Sequence, residues 1–131
     1  MASRINQNCL GDVESRGQFR RDSDIGNLHR LWDTQIIERH SKNDEQWFRE
    51  LRAVMHQMNV AEWLKGRTVT DWANESLAIA KMAYRVHGTD ELMKPGAKLG
   101  DDYYRFALPI VRQQLARAGL RVAATLNAIF K

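Results

Sequence analysis

From Asp101 to Phe130 the chain sets Leu108, Val111, Leu115, Ala118, Val122, Leu126 and Ile129 at intervals of three and four residues. That spacing lays one apolar stripe along a helix and cannot be read as a strand, whose inward residues recur every second position. A segment this long commits the chain to helix packing. Pro109 predicts a break or kink, because proline donates no backbone hydrogen bond and crowds the preceding turn. Arg112, Arg117 and Arg121 fall off the stripe and are expected on its wetter side.

Upstream segments repeat the pattern. Asn27 is placed to cap a helix whose apolar residues are Leu28, Leu31, Trp32 and Ile36. Ser41 to Asn43 end it. A second helix from Asp44 aligns Trp47, Leu51, Val54 and Met58. Gly66 then separates a short turn around Trp63 from a third helix, which Thr70 is expected to cap, with Asp71 at the positive end of the dipole. That helix is read to about Val86, with His87–Gly88 as its stop and residues 88–100, holding Pro95, Gly96 and Gly100, as loop. No strand alternation and no internal repeat appears. Short connections between amphipathic helices imply an all-α antiparallel bundle over residues 27–131, preceded by an irregular segment, 1–26, rich in Ser, Asn, Gly, Asp and Arg.

At 131 residues the chain is sized for one domain. Its single cysteine, Cys9, excludes an internal disulfide framework and a cysteine-rich zinc finger, so any metal chemistry must use histidines and carboxylates. A net charge of +4 suits a polyanion partner. Arginines and acids balance over residues 1–24, which leaves the excess to the helical part. No run approaches the roughly 20 apolar residues of a membrane helix. Met1 to Leu10 lack the charged start and apolar run of a signal peptide, so the chain as written is expected in the cytoplasm.

Few residues have the spacing chemistry needs. His29 and Asp33 stand four apart, on one face of the first helix, where an imidazole and a carboxylate can meet one metal ion. Zinc takes more protein ligands than two, so the rest must come from elsewhere. A surface hydrogen bond would explain the same pair. Asp12, after Gly11, is a turn residue on its own terms. His40 reads as a solvated helix end; His56 and His87 have no partner at ligand spacing. Trp32, Trp47, Trp63 and Trp72 could stack on bases, but each lies in an apolar helical pattern and reads as core.

The run Asn27-Leu-His-Arg-Leu-Trp-Asp33, followed by Ile36 and Ile37, resembles the zinc-binding helix of the single-strand-specific nucleases of fungi and plants. That family shares its helical fold with zinc-dependent phospholipase C. Asp71-Trp72-Ala73-Asn74-Glu75-Ser76, then Tyr84, resembles the family's Trp-Ala-x-Glu-Ser helix. Leu99-Gly100, Tyr103-Tyr104, Pro109-Ile110-Val111, Gln114-Leu115, Ala118-Gly119-Leu120-Arg121 and Leu126-Asn127 follow its C-terminal pattern. The resemblance covers residues 22–131 and implies the C-terminal part of a zinc nuclease domain. It implies three clustered zinc ions in the family, with His29 and Asp33 as ligands of one and Asp12 matching a bridging Asp. It also implies single-stranded DNA and RNA as substrates, a 3′-nucleotidase activity on nucleotides, and a secreted or periplasmic full-length product.

The departures are equally specific. Asn8 stands where the family has a His before Gly-Asp, and Glu14-Ser15-Arg16-Gly17 replaces a stretch with two histidines. The family's N-terminal Trp and the His, Asp and His ligands of its first half have no counterpart here. At most a partial zinc site is expected, and weak or absent activity with it. A non-catalytic helical fragment and a metal-free basic nucleic-acid-binding module are the alternatives. A family fold lacking its first half should also expose apolar surface and favour self-association.

Overall fold

The structure, a computed structural model, describes residues 28–64, 68–86, 88–94 and 97–130. Its elements are α1 (Leu28–Arg30), a π-helical turn (Leu31–Gln35), α2 (Ile36–His40), α3 (Asp44–Gln57), α4 (Val60–Leu64), α5 (Val69–Ala83) and α6 (Asp101–Ile129). Among the described residues there is no strand, only an isolated antiparallel bridge between Arg85 and Leu92. The fold is all-α. Asp12, Asn27, Gly66, His87, Pro95 and Gly96 lie outside the described residues.

The chain divides into two compact units. The first joins the described residues up to Lys42 with Tyr84–Leu108, and the second joins Asn43–Ala83 with the chain from Pro109 onward. α6 thus supplies its opening turns to the first unit and the remainder to the second. No break divides α6 at Pro109, although the proline can donate no bond to the preceding turn.

In the first unit Leu28, Leu31 and Ile36 are buried with Leu99, Tyr103 and Ala107. In the second, Trp47 and Trp63 are buried with Val111 and Ala116, as the apolar pattern around both tryptophans requires. The Asn43 side chain caps α3 by accepting from the Glu45 and Gln46 backbone N–H groups. Within this unit α5 and α6 run antiparallel: Trp72 lies against Arg121, whereas Glu75, further along α5, meets the earlier Arg117 and Gln114.

Besides the break at Pro109, four further sequence expectations change. Thr68, not Thr70, caps α5: its Oγ1 accepts from the Asp71 N–H, and Asp71 Oδ2 accepts from both the Thr68 N–H and its hydroxyl. This reciprocal box satisfies two backbone N–H donors as well as the Thr68 hydroxyl. The helix ends at Ala83 rather than Val86, because a different pairing takes over. The Val86 N–H bonds the Glu91 carbonyl and the Met93 N–H bonds that of Tyr84, around Gly88 at φ 80°. His40 is half-buried instead of solvated, with its Nδ1 3.5 Å from the Tyr104 hydroxyl.

The fourth change reverses the faces of α6 from Leu115 onward, while Val111 stays buried as expected. Arg121 is buried and Arg112 and Arg117 half-buried, while Leu115, Val122, Leu126 and Ile129 are exposed. The cause is acidic and aromatic partners on other helices. Arg112 pairs with Glu50 at 2.6 Å. Arg117 and Arg121 both hold Glu75, at 2.5 and 2.8 Å, with their guanidiniums over the rings of Trp63 and Trp72.

Candidate metal centre

His29 and Asp33 share the outward face of the first helix, in the first unit. His29 Nε2 stands 3.0 Å from Asp33 Oδ2, with the side chains 86% and 59% exposed, so solvent and ions reach both. The opposite face explains why the pair is held there. Leu31 and Ile36 are both fully buried although five residues apart, a separation that an ideal α-helix would splay by about 140°. The π-helical turn reconciles them: the Ile36 N–H bonds the Leu31 carbonyl, five residues back. Asp33 sits on this wider turn, a geometry that often marks functional positions.

Behind the pair lies an aromatic support. Trp32 Nε1 donates to the Tyr103 hydroxyl at 2.9 Å, and the rings meet edge to face at 88°. Tyr103 in turn stacks edgewise on Phe106. Burial pushes the Tyr103 phenol up to about 12, against the lowering effect of the Trp32 bond. The phenol therefore stays neutral, a polar anchor inside an apolar layer. Below it, Arg39 donates to Asp101 at 2.8 Å and lies 3.9 Å over the Tyr104 ring. These contacts join the helix carrying His29 and Asp33 to the start of α6.

An imidazole and a carboxylate are good zinc donors, but they are only two. Among the described residues no group of three or more His, Cys, Asp or Glu side chains could hold a metal ion. Asp12, the third sequence candidate, lies outside the described residues. The pair therefore fits half of a zinc coordination sphere and leaves the rest to be supplied.

Glu75 belongs to a different arrangement, whose partners the sequence pattern does not reveal. Burial acts to raise its pKa, yet hydrogen bonds and charge from Arg121 and Arg117 outweigh this and hold the carboxyl below its ordinary range. It is an internal anion with two counterions. The signal that could have found it was the coincidence of one acid on α5 with two arginines one turn apart on α6.

The sequence profile described as S1/P1 Nuclease matches residues 8–131. The chain belongs to the S1/P1 nuclease family. Relatives include Endonuclease 4 of Arabidopsis thaliana, 36% identical over 126 residues, covering 79% of this chain and 38% of that protein. Endonuclease 5 of the same plant is also 36% identical, with the same coverage, and Endonuclease 1 is 27% identical, covering 37% of its length. The chain thus spans well under half the length of the S1/P1 relatives it matches. No solved structure matches it. Among the described residues no helix is long and apolar enough to cross a membrane.

Proposed function

We propose that this chain carries part of the catalytic site of a zinc-dependent endonuclease acting on single-stranded DNA and RNA, with 3′-nucleotidase activity. The observation that carries this reading is an accessible His–Asp pair, His29 and Asp33, in a chain of the S1/P1 nuclease family. His29 contributes its Nε2 and Asp33 a carboxylate oxygen to one zinc, and Asp12 is the third candidate ligand. The chemistry expected of bound zinc is activation of a water nucleophile and stabilisation of the departing 3′ oxygen. The chain's own task is positioning: Trp32 and Tyr103 hold the helix from behind, so both donors are presented side by side on its exposed face.

Two donors do not complete a zinc site, so activity of this chain alone is weak or absent. The second reading, a non-catalytic helical fragment, draws its support from the same shortfall of donors among the described residues. A metal-free basic module is disfavoured by the fate of its arginines. Arg112, Arg117 and Arg121 are occupied by Glu50 and Glu75 and do not form a phosphate-tracking face.

Zinc stoichiometry on the reconstituted chain, beside a His29→Ala variant, tests the reading. Bound zinc that disappears in the variant supports the half-site. Zinc at background in both would leave family membership intact and remove the metal assignment. Any nuclease activity should vanish on chelation; activity that survives would point to the metal-free alternative.

A further inference from the structure

The helix that carries His29 and Asp33 holds one residue more than its packing requires. Leu31 and Ile36 are both fully buried, and the Ile36 N–H closes a π turn on the Leu31 carbonyl, with α-helix on either side. With one residue fewer between them, Leu31 and Ile36 would stand about 40° apart on a regular helix, and both would be buried without a wider turn. Burial therefore explains the π turn once the extra residue is present, but it does not explain the residue. Turns of this kind are rare and concentrate at functional positions.

The flanks show where the effect of that residue lies. With about 100° per residue outside the turn and about 82° within it, Ile36 falls about 10° from Leu28 instead of about 80°. His40 likewise moves to about 30° from Leu28 instead of about 120°, in keeping with its half-buried ring. Glu38 swings from about 80° to about 170° away, and it is exposed. Both flanks thus pack as they would on a shorter, regular helix, and the change is confined to the turn. Among residues 31–35 Asp33 is the one exposed residue. The angle between His29 and Asp33 closes from about 40° to nearly zero, so that the carboxylate stands over the imidazole, Oδ2 to Nε2 3.0 Å.

We propose that this extra residue is a positioning insertion, which widens the turn so that Asp33 and His29 address one ion from a single line along the helix. The inference rests on the zinc reading of the pair and adds the element that sets its bite. Trp32 and Tyr103 fix the helix, whereas the π turn fixes the two donors relative to each other. A regular helix could still offer both side chains to one ion, but only with rotamers that make up the offset. Alignment is therefore a gain in affinity rather than a condition for binding.

Deletion of Thr34 tests this, because it restores the four-residue step without touching Leu31, Asp33 or Ile36. Deletion of Gln35 reaches the same regular helix by a second route, and Thr34→Ala keeps the residue count. Zinc titration of the whole chain is followed by NMR through the His29 ring, beside circular dichroism and thermal melts. Both deletion variants should melt at or above the parent's temperature and bind zinc about tenfold more weakly, whereas Thr34→Ala should bind as the parent does. Lower affinity without lower stability is a pattern that a packing role does not produce. A folded deletion variant that binds zinc as tightly as the parent overturns the proposal and leaves the zinc reading intact. A parent that binds no zinc at His29 overturns both. Should both deletions unfold the chain, the π turn belongs to the fold and the proposal falls. It falls too if Thr34→Ala binds as weakly as the deletions, since the threonine side chain would then carry the effect.

Discussion

Two acid–base clusters in this chain are built from similar parts and stand in opposite surroundings. In the first unit, His29 and Asp33 touch each other on an open surface. In the second, Glu75 is only 14% exposed and is shared by two arginines that aromatic rings cover. Solvent makes the difference. An exposed pair contributes little to stability because water serves both groups nearly as well. A buried carboxylate between guanidiniums cannot lose one member without stranding the others. The first cluster is therefore free to take a ligand, and the second is committed to holding two helices together.

The largest expected effect comes from removing the buried anion. Glu75→Ala strands Arg117 and Arg121, each of which already has a buried Nε without an acceptor, and should cost about 3–5 kcal/mol in chemical denaturation. Replacing all three residues together by leucine should recover most of that loss, since the stranded charges go with it. If the triple variant is as unstable as Glu75→Ala, the cluster has a role beyond mutual neutralisation, and the comparison fails.

Acid should separate the clusters next. The folded protein holds Glu75 below its unfolded value, so across that interval the unfolded chain binds more protons. The stabilisation is fully present above the ordinary glutamate range, near 4.5, and is lost as pH falls through the depressed folded value. Unfolding followed from pH 7 to pH 2 should therefore show a loss in the parent that is largely missing in the triple leucine variant. An identical acid profile in both would place the acid-sensitive group elsewhere.

A smaller effect belongs to the support behind the exposed pair. Trp32→Phe keeps the ring but removes the donor to Tyr103, and should destabilise the fold by about 1 kcal/mol. It should also push the Tyr103 phenol further up, since the lost bond was the one opposing burial. Ultraviolet titration of the tyrosines reads this; a fall in that pKa would mean that the bond does not act as described.

How far each cluster could be read from sequence follows the reach of its contacts. His29 and Asp33 are four residues apart, and helical periodicity alone puts them together. The five-residue step from Leu31 to Ile36 was visible too, although only the structure shows it as a π turn that buries both. The Thr68 to Asp71 spacing is a recognisable capping box, although Thr70 competes for the same role in the sequence. The faces of α6 were not legible in the same way. Hydropathy sets arginine outward by default, and the partner that draws Arg117 and Arg121 inward lies 42 and 46 residues away. Local pattern carries no information about a contact at that distance.

The smallest stability effect is expected where the functional effect is largest. His29→Ala removes one member of an exposed pair, and should change the unfolding free energy by no more than about 0.5 kcal/mol. Asp33→Ala should behave alike, because neither residue contributes to the buried layer of Leu28, Leu31 and Ile36 beneath. Zinc retention should nonetheless fall to background in each. That combination, unaltered stability with lost metal, is the signature of side chains held for binding; a structural pair would lose both together. Destabilisation of 2 kcal/mol or more in either variant would show that the exposed pair supports the π turn after all, and the division of labour between the two clusters would have to be abandoned.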